Sequence, residues 1–158
     1  MLKGNQSEAT RIADQLRRAF EGDAWHGDSV FQILEGVTAA QAARPIKSGH
    51  SIWELVLHIA AWDRAVLRRM GGVAATVSDA ENFPPVRDAS EAAWGKALAE
   101  MRRVHEELVA AVAAQPDSRL YEMVPGKQGA HYTFYYMLHG VVQHELYHAG
   151  QIALLKKM

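Results

Sequence analysis

A chain of 158 residues that is 49% hydrophobic and 22% charged has the size and composition of one globular domain and needs no disulfide or metal merely to fold. Lys and Arg number 17 against 18 Asp and Glu, so the net charge of −1 offers no electrostatic attraction to nucleic acid or to an anionic membrane surface. With no cysteine, thiolate metal sites and cysteine nucleophiles are excluded together, and any metal must be held by His, Asp or Glu.

The apolar runs are too short for a membrane span, and Met1 to Arg18 is polar and charged where a signal peptide would be apolar. A cytoplasmic protein with no membrane and no nucleic-acid partner is the expectation. The first long helix is predicted over Ser7 to Glu21, where Ser7 can cap the N-terminus and Ile12, Leu16, Ala19 and Phe20 recur at helical spacing. Between Gly22 and Gly49 the pattern breaks into short pieces. Ser29 to Glu35 carries Val30, Phe31, Ile33 and Leu34, and Thr38-Ala39-Ala40-Gln41 has the form of a capping box, stopped by Arg44-Pro45.

The second long helix opens on the capping box Ser51-Ile52-Trp53-Glu54, continues through Leu55, Ile59, Trp62 and Val66, and closes on Arg68, Arg69 and Gly71-Gly72. From Gly71 to Ala89 there is no periodicity, which reads as a linker long enough to cross the molecule. Ser90 caps the third helix, whose series Trp94, Leu98, Met101, His105, Leu108 and Val112 ends at Gln115-Pro116. After a loop from Pro116 to Ala130, the fourth helix runs from about Tyr132 nearly to the end, with an inner stripe of Met137, Val141, His144, His148, Gln151 and Leu155. The prediction is an all-α single domain over 1–158, a four-helix bundle with short extra helical turns between the first and second long helices and a long linker between the second and third.

His144 and His148 are separated by about 400° of helical rotation and about 6 Å of rise, so both rings project from one face and can reach one ion. The spacing alone is weak, because a pair of partly buried histidines satisfied by other groups gives the same pattern. His144-Glu145-Leu146-Tyr147-His148 also satisfies HExxH, but Leu154 stands where a metzincin needs histidine, and only ten residues follow His148. A third ligand must come from upstream. His58, mid-helix between Leu55 and Ile59, is the best candidate, and three imidazoles would leave a coordination position open for chemistry. His50, two turns earlier, stands at the mouth of such a site or simply near the helix cap. His105 is either a fourth ligand or a packed core residue, His139 faces elsewhere, His131 reads as an exposed helix end, and His26 is a candidate lining residue of a pocket.

The segment from His50 through His58 to Trp62, followed 86 residues after His58 by His144-Glu145-Leu146-Tyr147-His148-Ala149-Gly150-Gln151-Ile152, resembles the DinB-like family of small metal-binding helical bundles. The resemblance implies a divalent metal held by three histidines, carried here by His58, His144 and His148. It also implies a homodimer, and relatives that include transferases and isomerases using low-molecular-weight thiols. Ala149 stands where many relatives carry arginine, so an anionic substrate gripped by that arginine would have to be held differently here.

Three readings follow. In the first, the chain is a metal-dependent enzyme, a hydrolase or cofactor-thiol transferase, in which zinc, nickel, iron or manganese lowers the pKa of water or a thiol. Glu145 is then a candidate catalytic acid/base, although it points about 100° from His144 and an ion pair, exposed or between helices, fits at least as well. Gln151, one turn past His148, could hydrogen-bond a ligand. Trp53, Trp62, Tyr135, Tyr136 and Tyr147 fit a pocket wall or simply core and interface. In the second, the ion only stabilises an interaction or metal-sensing domain. A metal-free bundle holding an apolar ligand is the third reading.

Overall fold

Each of the four long helices starts at a hydroxyl. Ser7, Ser51, Ser90 and Thr133 each accept a hydrogen bond from the backbone N–H three residues on, satisfying a donor the first turn leaves without a partner. The computed structural model describes residues 6–126 and 132–158, and the helices it contains are α1 (Glu8–Phe20), α2 (Val30–Leu34), α3 (Ala39–Ala42), α4 (Ile52–Met70), α5 (Asp79–Asn82), α6 (Glu91–Ala113) and α7 (Phe134–Lys156). A 3₁₀ turn, Asp117–Tyr121, follows α6. Among the described residues there is no strand, only an isolated bridge between Met123 and Thr133. His131 lies outside the described residues.

The long helices form a ring in which α6 and α7 each pack against both α1 and α4. The short helices α2 and α3 strap one end of this ring. Trp94 Nε1 donates to Val37 O at 2.8 Å, Lys156 Nζ donates to Ile33 O and Glu35 O, and Ala39 N donates to Glu91 Oε1. The predicted linker between the second and third long helices contains one more helix, α5, opened by a capping box of Ser78 and Glu81. That box was present in the sequence; a four-residue helix is too short to show periodicity.

The buried apolar side chains fall into two clusters. One holds Phe20, Ile52, Trp53, Leu55, Val56, Ile59 and Ala60 on α4, Trp94 and Met101 on α6, and Ala149 and Ile152 on α7. The other holds Ile12 and Leu16 on α1, Val66 and Met70 on α4, Leu108 and Val112 on α6, and Phe134, Met137, Leu138 and Val141 on α7. On α4, α6 and α7 the residues between the two clusters include Asp63, His105 and Glu145, and all three are fully buried. A polar layer therefore divides the core.

The face of α7 differs from the predicted stripe. Its most deeply buried residues are Leu138, Glu145, Ala149 and Ile152, whereas His144 and Gln151 are only partly covered. The predicted stripe through His144 and His148 is the wall of a groove beside the core, and the core stripe was disguised by the glutamate within it.

Candidate metal centre

α4 and α7 are neighbours, and the second, mid-helix turn of α4 brings His58 opposite His144 and His148 on α7. His144 Nε2 stands 2.9 Å from His58 Nε2 and 3.0 Å from His148 Nε2. His58 and His148 are 6% and 7% exposed, so water contributes little to satisfying these nitrogens.

The outer nitrogens decide what the inner ones can be. His58 Nδ1 lies 2.8 Å from the carbonyl oxygen of Asn82, which can only accept, so the proton sits on Nδ1 and Nε2 carries a lone pair. His148 Nδ1 lies 2.6 Å from Gln151 Oε1, which fixes the same tautomer. His144 has a single Nε2 and can donate to one of these two lone pairs but not to both. The set is therefore short of a proton and suited to a cation, the outer hydrogen bonds holding the rings as metal-binding histidines are usually held. The spacing fits as well. Two nitrogens about 2.1 Å from one ion stand about 3.0 Å apart at right angles and about 3.4 Å apart in a tetrahedron.

Electrostatics keeps the rings neutral. Burial, with the neighbouring His148 and His58 rings, pushes His144 down to about 3. Burial lowers His58 against the opposing hydrogen bond to Asn82, and lowers His148 against that to Gln151. Neutral imidazole is the form that binds a metal.

Two contacts to the histidines escaped the sequence reading. Phe83 lies between His58 and His50, stacked at 4.2 Å and 3.5 Å between ring centroids. Asn82 holds His58 through its backbone and accepts from Trp62 Nε1 at 2.9 Å through its side chain. Both belong to the α5 segment that lacks periodicity.

The three histidines form one end of a groove of about 630 Å³ between α4 and α7, also lined by His50, Gln151, Trp62, Tyr136 and Tyr147. His26 does not reach it: that residue is exposed in a separate depression shared with Glu8, Arg18 and His139. Trp53 is buried against Trp94, and Tyr135 packs on His139, so neither is in the wall.

Glu145 turns away from the groove. It is fully buried, with Oε1 2.9 Å from His105 Nδ1, and Asp63 Oδ2 is 3.5 Å from the same nitrogen. Its carboxylate makes no part of the groove wall and lies instead in a contact between helices. Burial alone would lower His105, but the contacts with Asp63 and Glu145 raise it to about 9. Burial and the nearby Asp63 charge raise Glu145 to about 8, against the pull of His105. Asp63 is raised by burial, with His105 again opposing.

The fold and this group of side chains define a four-helix bundle with a buried His58, His144 and His148 set that could hold a metal ion. A family model for the DinB superfamily matches residues 24–152, and the chain belongs to that superfamily. No curated protein and no solved structure matches the chain.

Proposed function

We propose that the chain is a metal-dependent enzyme, a hydrolase or cofactor-thiol transferase, whose divalent ion is held by His58, His144 and His148. The observation that carries this reading is the convergence of three Nε2 atoms at the wall of a groove, with two of the rings fixed in the metal-binding tautomer from behind. An ion there would supply Lewis acidity toward an oxygen or sulfur atom arriving along the groove. The chain's own contribution is positional. Asn82 and Gln151 hold protons on Nδ1, Phe83 covers His58, and the apolar walls shed water from the approach. Homodimer formation and a cytoplasmic setting belong to the same proposal and rest on the family resemblance and on composition.

The test is metal analysis of untagged protein beside His58→Ala and His148→Ala, followed by hydrolase and thiol-transfer screens on the loaded form. One ion per chain, lost in both variants, is the expected result; equal metal in all three proteins overturns the assignment. The second reading, an ion that only stabilises the bundle, is favoured by the location of the ligands on two different helices. It predicts a large fall in melting temperature on chelation and no turnover in any screen.

A further inference from the structure

The groove has a second end. Arg69 lies eleven residues after His58 on α4, about 16 Å along the helix axis. Its Nε donates to Ala75 O at 2.9 Å and Nη1 to Tyr132 Oη at 3.3 Å, and its guanidinium carbon sits 5.6 Å from the Trp62 ring centroid. These contacts hold the group in place without neutralising it. Among the described residues no carboxylate lies within ion-pair distance of Arg69, whereas Arg17, Arg18, Arg64 and Arg103 all face one. Among the described residues no Asp or Glu lines the groove, and Arg69 is the one arginine or lysine that does.

Between the two ends the walls are apolar, and one position leaves space that the chain does not fill. Gly140 is in the middle of α7 and lines the groove, yet a Cβ built there meets no atom within 4 Å. A glycine inside a helix weakens it, and here no neighbouring backbone requires the missing side chain. The room above Gly140 is continuous with the space beside Trp62, Val66 and Met137.

We propose that this groove binds a small amphipathic anion, with an apolar or aromatic body lying across Gly140 and Trp62 and a carboxylate, sulfonate or phosphate on Arg69. The proposal deepens the enzymatic reading by naming its substrate class, and rests on that reading only for what the far end of the ligand does at the histidines. Specificity comes from charge. A neutral analogue keeps the apolar contact but leaves a partly desolvated guanidinium without a counter-ion.

The test uses two fluorescent probes that share one aromatic body, 1-anilinonaphthalene-8-sulfonate and the uncharged N-phenyl-1-naphthylamine. Both are titrated into the full chain after treatment with EDTA, so the outcome is independent of metal. In Arg69→Gln the sulfonate is expected to bind about tenfold more weakly, the neutral probe to change less than twofold, and Arg69→Lys to keep most of the sulfonate affinity. Gly140→Leu should lose both probes while its melting temperature does not fall. Equal weakening of both probes in Arg69→Gln, no weakening of either, or undiminished binding to Gly140→Leu would each overturn the proposal. Metal content of the histidine variants is a separate measurement. A chain that carries no metal but still discriminates the probes sinks the enzymatic reading and leaves this one standing.

Discussion

His144 and Glu145 are consecutive residues that serve two separate clusters. The His144 ring faces the groove, 2.9 Å from His58, while the Glu145 carboxylate faces the sealed centre of the bundle, 2.9 Å from His105. A helix turns about 100° per residue, enough to put one side chain beside a ligand space and the next inside the core.

The central contact should be costly to break from one side. His105→Ala leaves Asp63 and Glu145 buried without the imidazole between them, and a loss of about 3–5 kcal/mol at neutral pH is expected. Replacing all three together, with Asp63→Leu, His105→Phe and Glu145→Leu, should be close to neutral or stabilising, because a packed apolar layer has no charge to desolvate. Equilibrium urea denaturation measures both. A His105→Ala loss below about 1 kcal/mol would show that the layer is not coupled.

Stability of the metal-free chain should fall as the pH rises from 7 to 9. His105 is raised from 6.5 to about 9, so its contribution is fully present below the unfolded value and is lost as pH rises through about 9. Glu145, raised from 4.5 to about 8, keeps a proton that the unfolded chain releases, which also makes stability fall with rising pH across that window. His144 acts in the opposite sense. Held down to about 3, it resists a proton that the unfolded chain takes up below 6.5, so stability falls as the solution is acidified through that range. Melting temperatures in EDTA from pH 4 to 10 check this, and a curve that is flat or rising between pH 7 and 9 would contradict it.

Gln151→Leu removes the acceptor behind His148 without touching a ligand. The ring loses its fixed tautomer, and metal affinity should fall roughly ten- to a hundredfold, read by competition with a chelating dye. Unchanged affinity would mean that Gln151 does not orient the ring.

Phe83→Ala uncovers His58 and His50 on one side. Water then reaches the His58 imidazole, and its depressed pKa should move back toward 6.5 in the metal-free chain. Titration of the ring C–H resonances by NMR measures the change, and an unshifted titration would remove Phe83 from the account.

Much of this arrangement can be read from the chain. Hydroxyl caps at Ser7, Ser51 and Ser90 mark three long helices, because an N-cap is a local signal. The convergence of His58 with His144 and His148 is legible because histidines four apart share a helix face, a mid-helix histidine is the best third, and the family resemblance implies the same set. The polar layer was not. Asp63 has no sequence signal of its own and Glu145 reads as an acid/base or ion-pair residue, since carboxylates are rarely buried unless paired, and only the three-dimensional meeting with His105 identifies both as interior. Asn82 and Phe83 were hidden differently, in a segment with no repeat for a pattern to reveal.

The pairing of clusters along α4 and α7 has a mechanical consequence. Asp63 follows His58 by five residues and Glu145 follows His144 by one, so each helix carries members of both sets. Sliding α7 past α4 by a single turn, about 5.4 Å, would drive Glu145 among apolar side chains and part the imidazoles in the same movement. Two scales ruled on the same pair of rods behave as a vernier, and only one alignment lets both read true.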